Sequence, residues 1–179
     1  MGKLTLAPME AWDTVHVFPM LEQMAADEAV PYPQQTADDR KHAQSWLLDQ
    51  LGRPDFGAFV VRDGYKAKGV IWGTIERRPF VQPSRFLEAR LLYVTPSHRR
   101  RGLARRLAEA IVAWGRQRLG ADCVTELMTL PNTPAAAMWA EAGFQPIGVR
   151  MAWIDATGQA RPDMPLAPSR DSRETRAHG

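Results

Sequence analysis

The segment whose residue types best fit a chemical role is a basic loop that leads into a predicted helix. The apolar residues 91–94 end at Pro96, three arginines follow at positions 99–101, and Gly102 begins an amphipathic run. The first turn of a helix has unpaired amide N–H groups and a partial positive charge, so it binds phosphate. Gly102 has no side chain to block a close approach, and Ala104 is nearly as small. These residues predict a phosphate site, although many helices begin near glycine and carry only solvated arginines.

The distribution of charge favours a compact polyanion over nucleic acid. The formal net charge is +3, yet seven arginines between positions 99 and 118 face only one acid, Glu109, which leaves −3 for the other residues. No aromatic residues alternate with these arginines to stack on bases, so we expect no nucleic-acid partner. No Gly-Lys-Ser/Thr follows to make a P-loop, and the glycines of a dinucleotide fingerprint would have to follow an N-terminal strand.

Two stretches of the sequence resemble signatures of the GNAT superfamily of N-acetyltransferases. Residues 99–104, RRRGLA, match the pattern Gln/Arg-x-x-Gly-x-Gly/Ala that binds acetyl-coenzyme A in that superfamily. Residues 132–144, NTPAAAMWAEAGF, are similar to its second signature, with Trp139 in place of a tyrosine. Directly upstream of the first signature, residues 92–96 look like the fourth strand and turn of the family. On these motifs the chain is identified as a member.

This resemblance implies that acetyl-coenzyme A is the co-substrate and assigns roles around it. Backbone groups of strand residues 92–94 would pair with the pantetheine arm as an added strand does. Amides from positions 100–105 would hold the pyrophosphate, the arginine side chains would reach the 3′-phosphate, and Asn132 would contact the thioester end or cap its helix. The implied cofactor-binding residues are Leu92, Tyr93, Val94, Arg99, Arg100, Arg101, Gly102, Leu103, Ala104, Arg105, Asn132 and Trp139.

Direct acetyl transfer to an amine requires a base, because an alkylammonium with a pKa near about 10 has no lone pair for attack. Glu88 is the first candidate, since it stands six residues before Val94, where the histone-modifying branch carries its glutamate. Period-two alternation predicts that Glu88 shares a face with Arg90, Leu92 and Val94. The competing interpretation is a strand-end glutamate that forms an ion pair with Arg90 or Arg85.

Glu126 is the second candidate base, and an ordered water chain is the third. Glu126 stands six residues before Asn132, whereas relatives that modify ribosomal proteins carry a glutamate five residues before. A slip of one residue would direct the side chain to the opposite face unless a bulge intervenes.

Three other residues have side chains that could take part in chemistry, but their positions in the sequence favour structural roles. An indole N–H donates a hydrogen bond but delivers no proton at neutral pH, so Trp139 is predicted to pack beside the cofactor rather than to protonate the thiolate. Because Trp139 replaces the tyrosine, a second class of function, a non-catalytic acyl-coenzyme A sensor, stays open. A transferase of another acyl group is a further alternative. His98 is predicted to be a solvated turn residue, and Cys123 a buried structural one.

Hydrophobic periodicity and the order of elements predict an α/β (α+β) fold with a mixed sheet and helices on both faces. The resemblance implies a GNAT-like acyl-coenzyme A N-acyltransferase fold, in which the central sheet is mostly antiparallel and flanked by helices. We expect an apolar stripe of Val15, Phe18, Leu21 and Met24 on the first helix, and a hairpin turn at Asp63-Gly64. The predicted strands are 4–7, 58–62, 69–77, 86–94, 123–130 and 145–154, and the predicted helices are 12–28, 36–51, 102–119 and 134–142. A single N-acetyltransferase domain is expected over residues 4–160, followed by a flexible or loosely docked tail, 161–179.

The composition indicates a folded protein and restricts the cellular locations that we expect for it. Of the residues, 45% are hydrophobic and 24% are charged, as in folded globular chains. No apolar run is long enough for a membrane span, no secretory leader is evident, and there is one cysteine, so we expect a cytoplasmic protein with no membrane partner. Histidine spacing suggests no metal site. The acceptor is expected to be an amine of a small molecule or a protein, and a homodimer is left open.

Overall fold

The structure is a computed structural model that describes residues 3–27, 37–80, 84–120, 125–127, 134–141 and 144–145. Its strands are β1 Leu4–Pro8, β2 Phe56–Asp63, β3 Lys66–Arg77, β4 Arg85–Val94 and β5 Thr125–Leu127. Its helices are α1 Thr14–Asp27, α2 Ala37–Gln50, α3 Leu103–Leu119 and α4 Pro134–Glu141, with 3₁₀ turns at Ala11–Asp13 and Pro96–His98. The predicted strand 145–154, apart from Gln145, and the predicted tail lie outside the described residues.

The five strands form one sheet in the order β1-β2-β3-β4-β5. The first four are antiparallel to their neighbours, and β5 is parallel to β4. This confirms the predicted mixed, mainly antiparallel sheet. The hairpin between β2 and β3 turns at Gly64, whose φ of +61° is a conformation that glycine adopts at little cost.

Helices cover both faces of the sheet, so its central strands are buried on both sides. On one face, here called the α1 face, α1 and α2 pack against residues such as Val60 and Val70. On the other, the α3 face, Leu107 and Ile111 of α3 pack against residues such as Ile71. Burial on both sides explains why residues 56–61 of β2 and 69–73 of β3 are continuously apolar instead of alternating with polar residues.

The buried stripe of α1 differs from the predicted one. Val17 and Met20 are its buried residues, and Val15, which was expected in the apolar stripe, is 63% exposed. Val15 and Val17 are two positions apart and so lie about 200° apart around a helix, which means that both cannot face the sheet. The other predicted members of the stripe, at positions 18, 21 and 24, are partly buried against the same core.

A buried ion pair fixes the start of α1 against the sheet. Arg62 of β2 donates from Nε to Asp13 Oδ1 at 2.8 Å and from Nη2 to Oδ2 of the same carboxylate. Asp13 Oδ2 also accepts the backbone N–H of Glu10 at 2.8 Å, and Nη2 of Arg62 donates to the Pro8 carbonyl at 3.1 Å. The guanidinium lies 4.4 Å from the ring centroid of Trp12. These contacts join the end of β1, the start of α1 and the carboxyl-terminal end of β2.

The replacement Asp13→Ala is expected to lower the free energy of unfolding by about 3–5 kcal/mol, because it leaves the Arg62 guanidinium buried without its counter-charge. The measurement is chemical denaturation, with Asp55→Ala as the matched control, since Asp55 forms an exposed pair with Arg53. The control should change the stability little. Equal losses in the two variants would contradict the anchoring role of Asp13.

Candidate functional site

The loop between β4 and α3 has the backbone geometry of an anion site. Gly102 is the N-cap of α3, and φ is +71° there and +61° at Arg100, whereas Arg99 has a φ of −64°. Alternating signs of φ turn successive N–H groups toward one concavity. No N-cap side chain bonds the first turn of α3, which also contains no acid, and the bond from Arg106 N–H to the Gly102 carbonyl begins the helix ladder. The amides that precede Arg106 are therefore available to a bound anion.

The arginines of this loop differ in what they contact. Arg99 donates from Nε to the Val94 carbonyl at 3.0 Å, and its guanidinium carbon lies 5.3 Å from the Tyr93 ring centroid. Arg105 pairs with Glu109 one turn along α3. The side chains of Arg100 and Arg101 are exposed. Within this loop, Arg99 is thus bound against β4, while Arg100 and Arg101 extend into solvent beside the helix start.

His98 lies beside the same loop but adds no charge to it. Its Nδ1 is 2.8 Å from the Ser97 hydroxyl oxygen. Partial burial lowers the pKa of His98, and the positive charges of Lys68 and Arg101 lower it further, against a smaller opposite effect of Asp63. The imidazole is therefore neutral at pH 7, and the positive potential of the loop comes from its arginines and its amides.

The carboxyl-terminal half of β4 has one edge that no described strand covers. Residues Leu92, Tyr93 and Val94 pair with β3 on one side. On the other side β5 pairs with Leu87–Ala89, and within the described residues that pairing stops there. Backbone groups of a strand edge that has no partner strand can bond an extended ligand. This edge is the one on which the resemblance places the pantetheine arm.

A β-bulge in β4 corrects the predicted face of Glu88. Leu91 pairs with Trp72 of β3 and Ala89 pairs with Gly73, so Arg90 between them has no partner residue. One unpaired residue reverses the alternation beyond it. Leu92 and Val94 therefore pack on the α3 face. Glu88 falls on the opposite, α1 face, where Leu91 and Tyr93 also pack, so the prediction that it shares a face with Leu92 and Val94 is wrong.

The two candidate bases occupy neighbouring positions on adjacent strands. Glu88 of β4 is in register with Glu126 of β5 in the parallel pairing. The two backbone positions are therefore adjacent across the β4–β5 pairing. The sequence offered these residues as separate alternatives, and it could not reveal their proximity because the register depends on tertiary structure.

Glu88 belongs to a cluster of polar side chains around Arg90. Arg90 Nη2 lies 2.8 Å from Glu88 Oε2 and 2.7 Å from Glu76 Oε1, and its Nε donates to the Thr74 hydroxyl at 2.8 Å. Hydrogen bonds from Thr74 and from Arg90 lower the pKa of Glu76, which is therefore ionised at neutral pH. The ion pair between Glu88 and Arg90 that the sequence analysis gave as the competing interpretation is present.

Sequence reasoning missed Thr74 and Glu76. The available signal was the change from apolar to polar residues along alternate positions of β3, where Val70 and Trp72 are followed by Thr74 and Glu76. Such a change marks the point where a buried strand face reaches a polar region.

Of the remaining predicted residues, Trp139 lies in α4, and Leu103 and Ala104 lie in the first turn of α3. Trp139 is buried, and its ring meets that of Phe144 edge-on with centroids 4.9 Å apart. Leu103 is buried in the same core as Trp139, and Ala104 packs against it. Asn132 and Cys123 lie outside the described residues.

The described part of the chain contains no cluster of metal ligands and no membrane-spanning helix. No group of three or more His, Cys, Asp or Glu residues there could hold a metal ion. No helix there has the length and the apolar character that a membrane span requires.

Comparison with known proteins agrees with the fold and identifies the family. The sequence model of the acetyltransferase (GNAT) family matches residues 18–144. The chain therefore belongs to the GNAT acetyltransferase family, which at the family level supports an acyl-coenzyme A-dependent N-acetyltransferase. A comparison with curated proteins finds no significant match.

Solved structures of low sequence identity share the fold. AAC(6')-Iy in complex with the bisubstrate analogue CoA-S-monomethyl-acetylneamine has a TM-score of 0.66 at 18% identity, over 86% of this chain and 99% of that one. A GCN5-related N-acetyltransferase from Ralstonia eutropha has a TM-score of 0.69 at 19% identity, over 85% and 99%. A predicted acetyltransferase with acetyl-CoA from Clostridium acetobutylicum has a TM-score of 0.69 at 12% identity, over 83% and 96%.

The replacement Gly102→Val is expected to raise the dissociation constant of acetyl-coenzyme A at least about tenfold, or roughly 1.4 kcal/mol, because a side chain there would obstruct the pyrophosphate. A Cβ at Gly102 would meet no protein atom within 4 Å, so the variant should still fold. The positive φ should itself cost roughly 1–3 kcal/mol of stability. Calorimetric titration measures the affinity.

The matched control is Gly120→Val at the other end of α3. Gly120 has a φ of +96° and equally open surroundings, so the same replacement strains the backbone about 25 Å from Gly102. The control should lose stability and keep its affinity. An unchanged affinity in a folded Gly102→Val variant would mean that the pyrophosphate binds elsewhere.

Proposed function

We propose that this protein transfers the acetyl group of acetyl-coenzyme A directly to a primary amine of a small molecule or a protein. The observation that carries the proposal is the uncapped start of α3, with its alternating backbone around Gly102, directly after residues 92–94 of β4, which among the described strands pair with β3 alone. One loop thus joins a site for phosphate to a strand edge suited to an extended amide-bearing arm. The structures of similar fold that contain coenzyme A or acetyl-CoA support this choice of co-substrate.

In the proposed reaction the acceptor ammonium first gives a proton to a base, for which Glu88 is the first candidate and Glu126 the second. The neutral nitrogen then attacks the thioester carbon, and a backbone N–H stabilises the oxyanion. When the intermediate collapses, the new C–N bond remains, the C–S bond breaks, and coenzyme A leaves as a thiolate. The nitrogen loses its remaining extra proton to that thiolate or to water, and the base releases its proton to solvent.

The position of Trp139 favours a second candidate function, a non-catalytic acyl-coenzyme A sensor. Many relatives have a tyrosine at this position, and its hydroxyl can protonate the departing thiolate. Trp139 is buried and its ring packs against Phe144, so it offers packing and no titrating group. We rank catalysis first because a thiol with a pKa near about 8.5 can leave as the thiolate at modest cost. A transferase of a different acyl group is the remaining alternative.

The proposal extends to the domain organisation, the cellular location and the partners of the protein. A single catalytic domain over residues 4–160 with a tail at 161–179 accounts for the element order and for the change in composition. We propose a cytoplasmic enzyme that needs no metal and binds neither nucleic acid nor membrane, because its excess of arginine is concentrated around the cofactor loop. Aminoglycosides are among the candidate acceptors, since the bisubstrate analogue bound by AAC(6')-Iy contains acetylneamine.

We expect amine-dependent release of free thiol from acetyl-coenzyme A when the protein meets its acceptor. The assay follows thiol release with a panel that includes neamine and lysine-containing peptides, and mass spectrometry identifies the acetylated product. Propionyl- and succinyl-coenzyme A test the preference for the acyl group. Tight binding of the cofactor without turnover on any amine would favour the sensor. Preferred turnover of another acyl donor would favour a transferase of that acyl group.

The replacement Glu88→Gln is expected to lower kcat by roughly 10² or more, because it removes the proton acceptor and keeps the shape of the side chain. Glu126→Gln is its matched control, since it occupies the neighbouring position in register on β5. The control should retain most of its activity. The opposite result would assign the base to Glu126, and two nearly silent variants would favour an ordered water chain.

A further inference from the structure

The side chain of Arg90 connects three polar residues from two strands on the α1 face. Its Nη2 serves the Glu88 and Glu76 carboxylates at 2.8 and 2.7 Å, and its Nε reaches the Thr74 hydroxyl oxygen at 2.8 Å. The Thr74 hydroxyl in turn donates to Glu76 Oε1 at 2.7 Å. These four residues, Thr74, Glu76, Glu88 and Arg90, are called the Arg90 cluster below.

The β-bulge brings this cluster together. Arg90 is the residue of β4 without a partner on β3, and Glu88 pairs there with Thr74. In a regular strand, Glu88 and Arg90 would lie on the face of Leu92, which packs against α3. The extra residue instead leaves Glu88 and the guanidinium beside Thr74. The bulge therefore creates a contact that a regular strand would not provide.

We propose that Arg90 is a positioning residue for the acetyl transfer, which holds the Glu88 carboxylate in place on the α1 face of the sheet. Thr74 and Glu76 fix the guanidinium, and the guanidinium fixes Oε2 of Glu88. This inference rests on the proposed function and adds to it three residues that the family motifs do not include.

The charge of the cluster suits the acceptor as well as the base. Two carboxylates share one guanidinium, so the cluster keeps a net negative charge while Glu76 and Glu88 are ionised. The bonds from Thr74 and Arg90 keep Glu76 ionised. An approaching ammonium thus meets a negative site, and Glu88 is held there to take its proton. The Glu88 side chain is 23% exposed, so solvent can receive the proton afterwards.

A double-mutant cycle between Arg90→Ala and Glu88→Gln tests the proposal. Arg90→Ala is expected to lower kcat about tenfold while the KM for acetyl-coenzyme A is unchanged, because the misplaced carboxylate affects the chemical step and not cofactor binding. In the Glu88→Gln background the same replacement should have no further effect on kcat. Arg90→Lys should recover part of the loss, since it keeps the charge and loses the two-carboxylate geometry.

Two further variants separate positioning from stability. Glu76→Gln weakens the hold on Arg90 without touching Glu88, and it should lower kcat less than Arg90→Ala does and only when Glu88 is present. Arg116→Ala removes one positive charge from the last turn of α3, far from the cluster, and should leave kcat unchanged. Melting temperatures of all variants report folding.

The outcomes distinguish this inference from the proposed function. Equal loss of kcat from Arg90→Ala in both backgrounds would overturn the positioning role, as would a rise in both KM values with kcat unchanged. A silent Glu88→Gln in an active enzyme would also overturn it and leave the acetyltransferase assignment intact. Absence of thiol release from the unmodified protein with every amine would instead remove the proposed function.

Discussion

The unpaired residue in β4 is the constraint on which the candidate site depends. Since Arg90 has no partner on β3, the strand presents Glu88 to the α1 face and Leu92 to the α3 face. A regular strand would direct both residues toward α3, where a carboxylate would be buried among apolar side chains at a high cost. The bulge thus allows one strand to be apolar where it packs and charged where it meets solvent.

The same strand connects the two halves of the proposed chemistry. Its carboxyl end leads through a 3₁₀ turn to the amides at the start of α3, and its middle carries Glu88. Positive charge from the exposed Arg100 and Arg101 is concentrated at that loop, and negative charge from Glu76 and Glu88 is concentrated on the α1 face. The proposed polyanionic cofactor and the proposed cationic acceptor would therefore be attracted to different parts of β4.

The rest of the fold keeps this strand in place. Most residues of β2 and the central residues of β3 are buried, so a change in the register of these strands would expose apolar residues to water and is strongly disfavoured. The pair of Asp13 with Arg62 adds a directional contact, because its two parallel hydrogen bonds need one orientation of α1 relative to β2. Hydrophobic burial supplies most of the stability, and this ion pair selects one arrangement of helix and sheet.

Most of the described elements of the fold, and the loop that is proposed to bind the cofactor, could be predicted from the sequence. Amphipathic spacing in α3, the turn at Gly64 and the glycine at position 102 are local features, and local sterics and hydrogen bonding are encoded in adjacent residues. Tertiary structure alone decided which residues meet: the register of Glu88 with Glu126, the face of Glu88 and the contact of Arg90 with Glu76. These features depend on strand pairing and on one bulge, which no local pattern specifies, because a shift of one residue reverses every side chain that follows it.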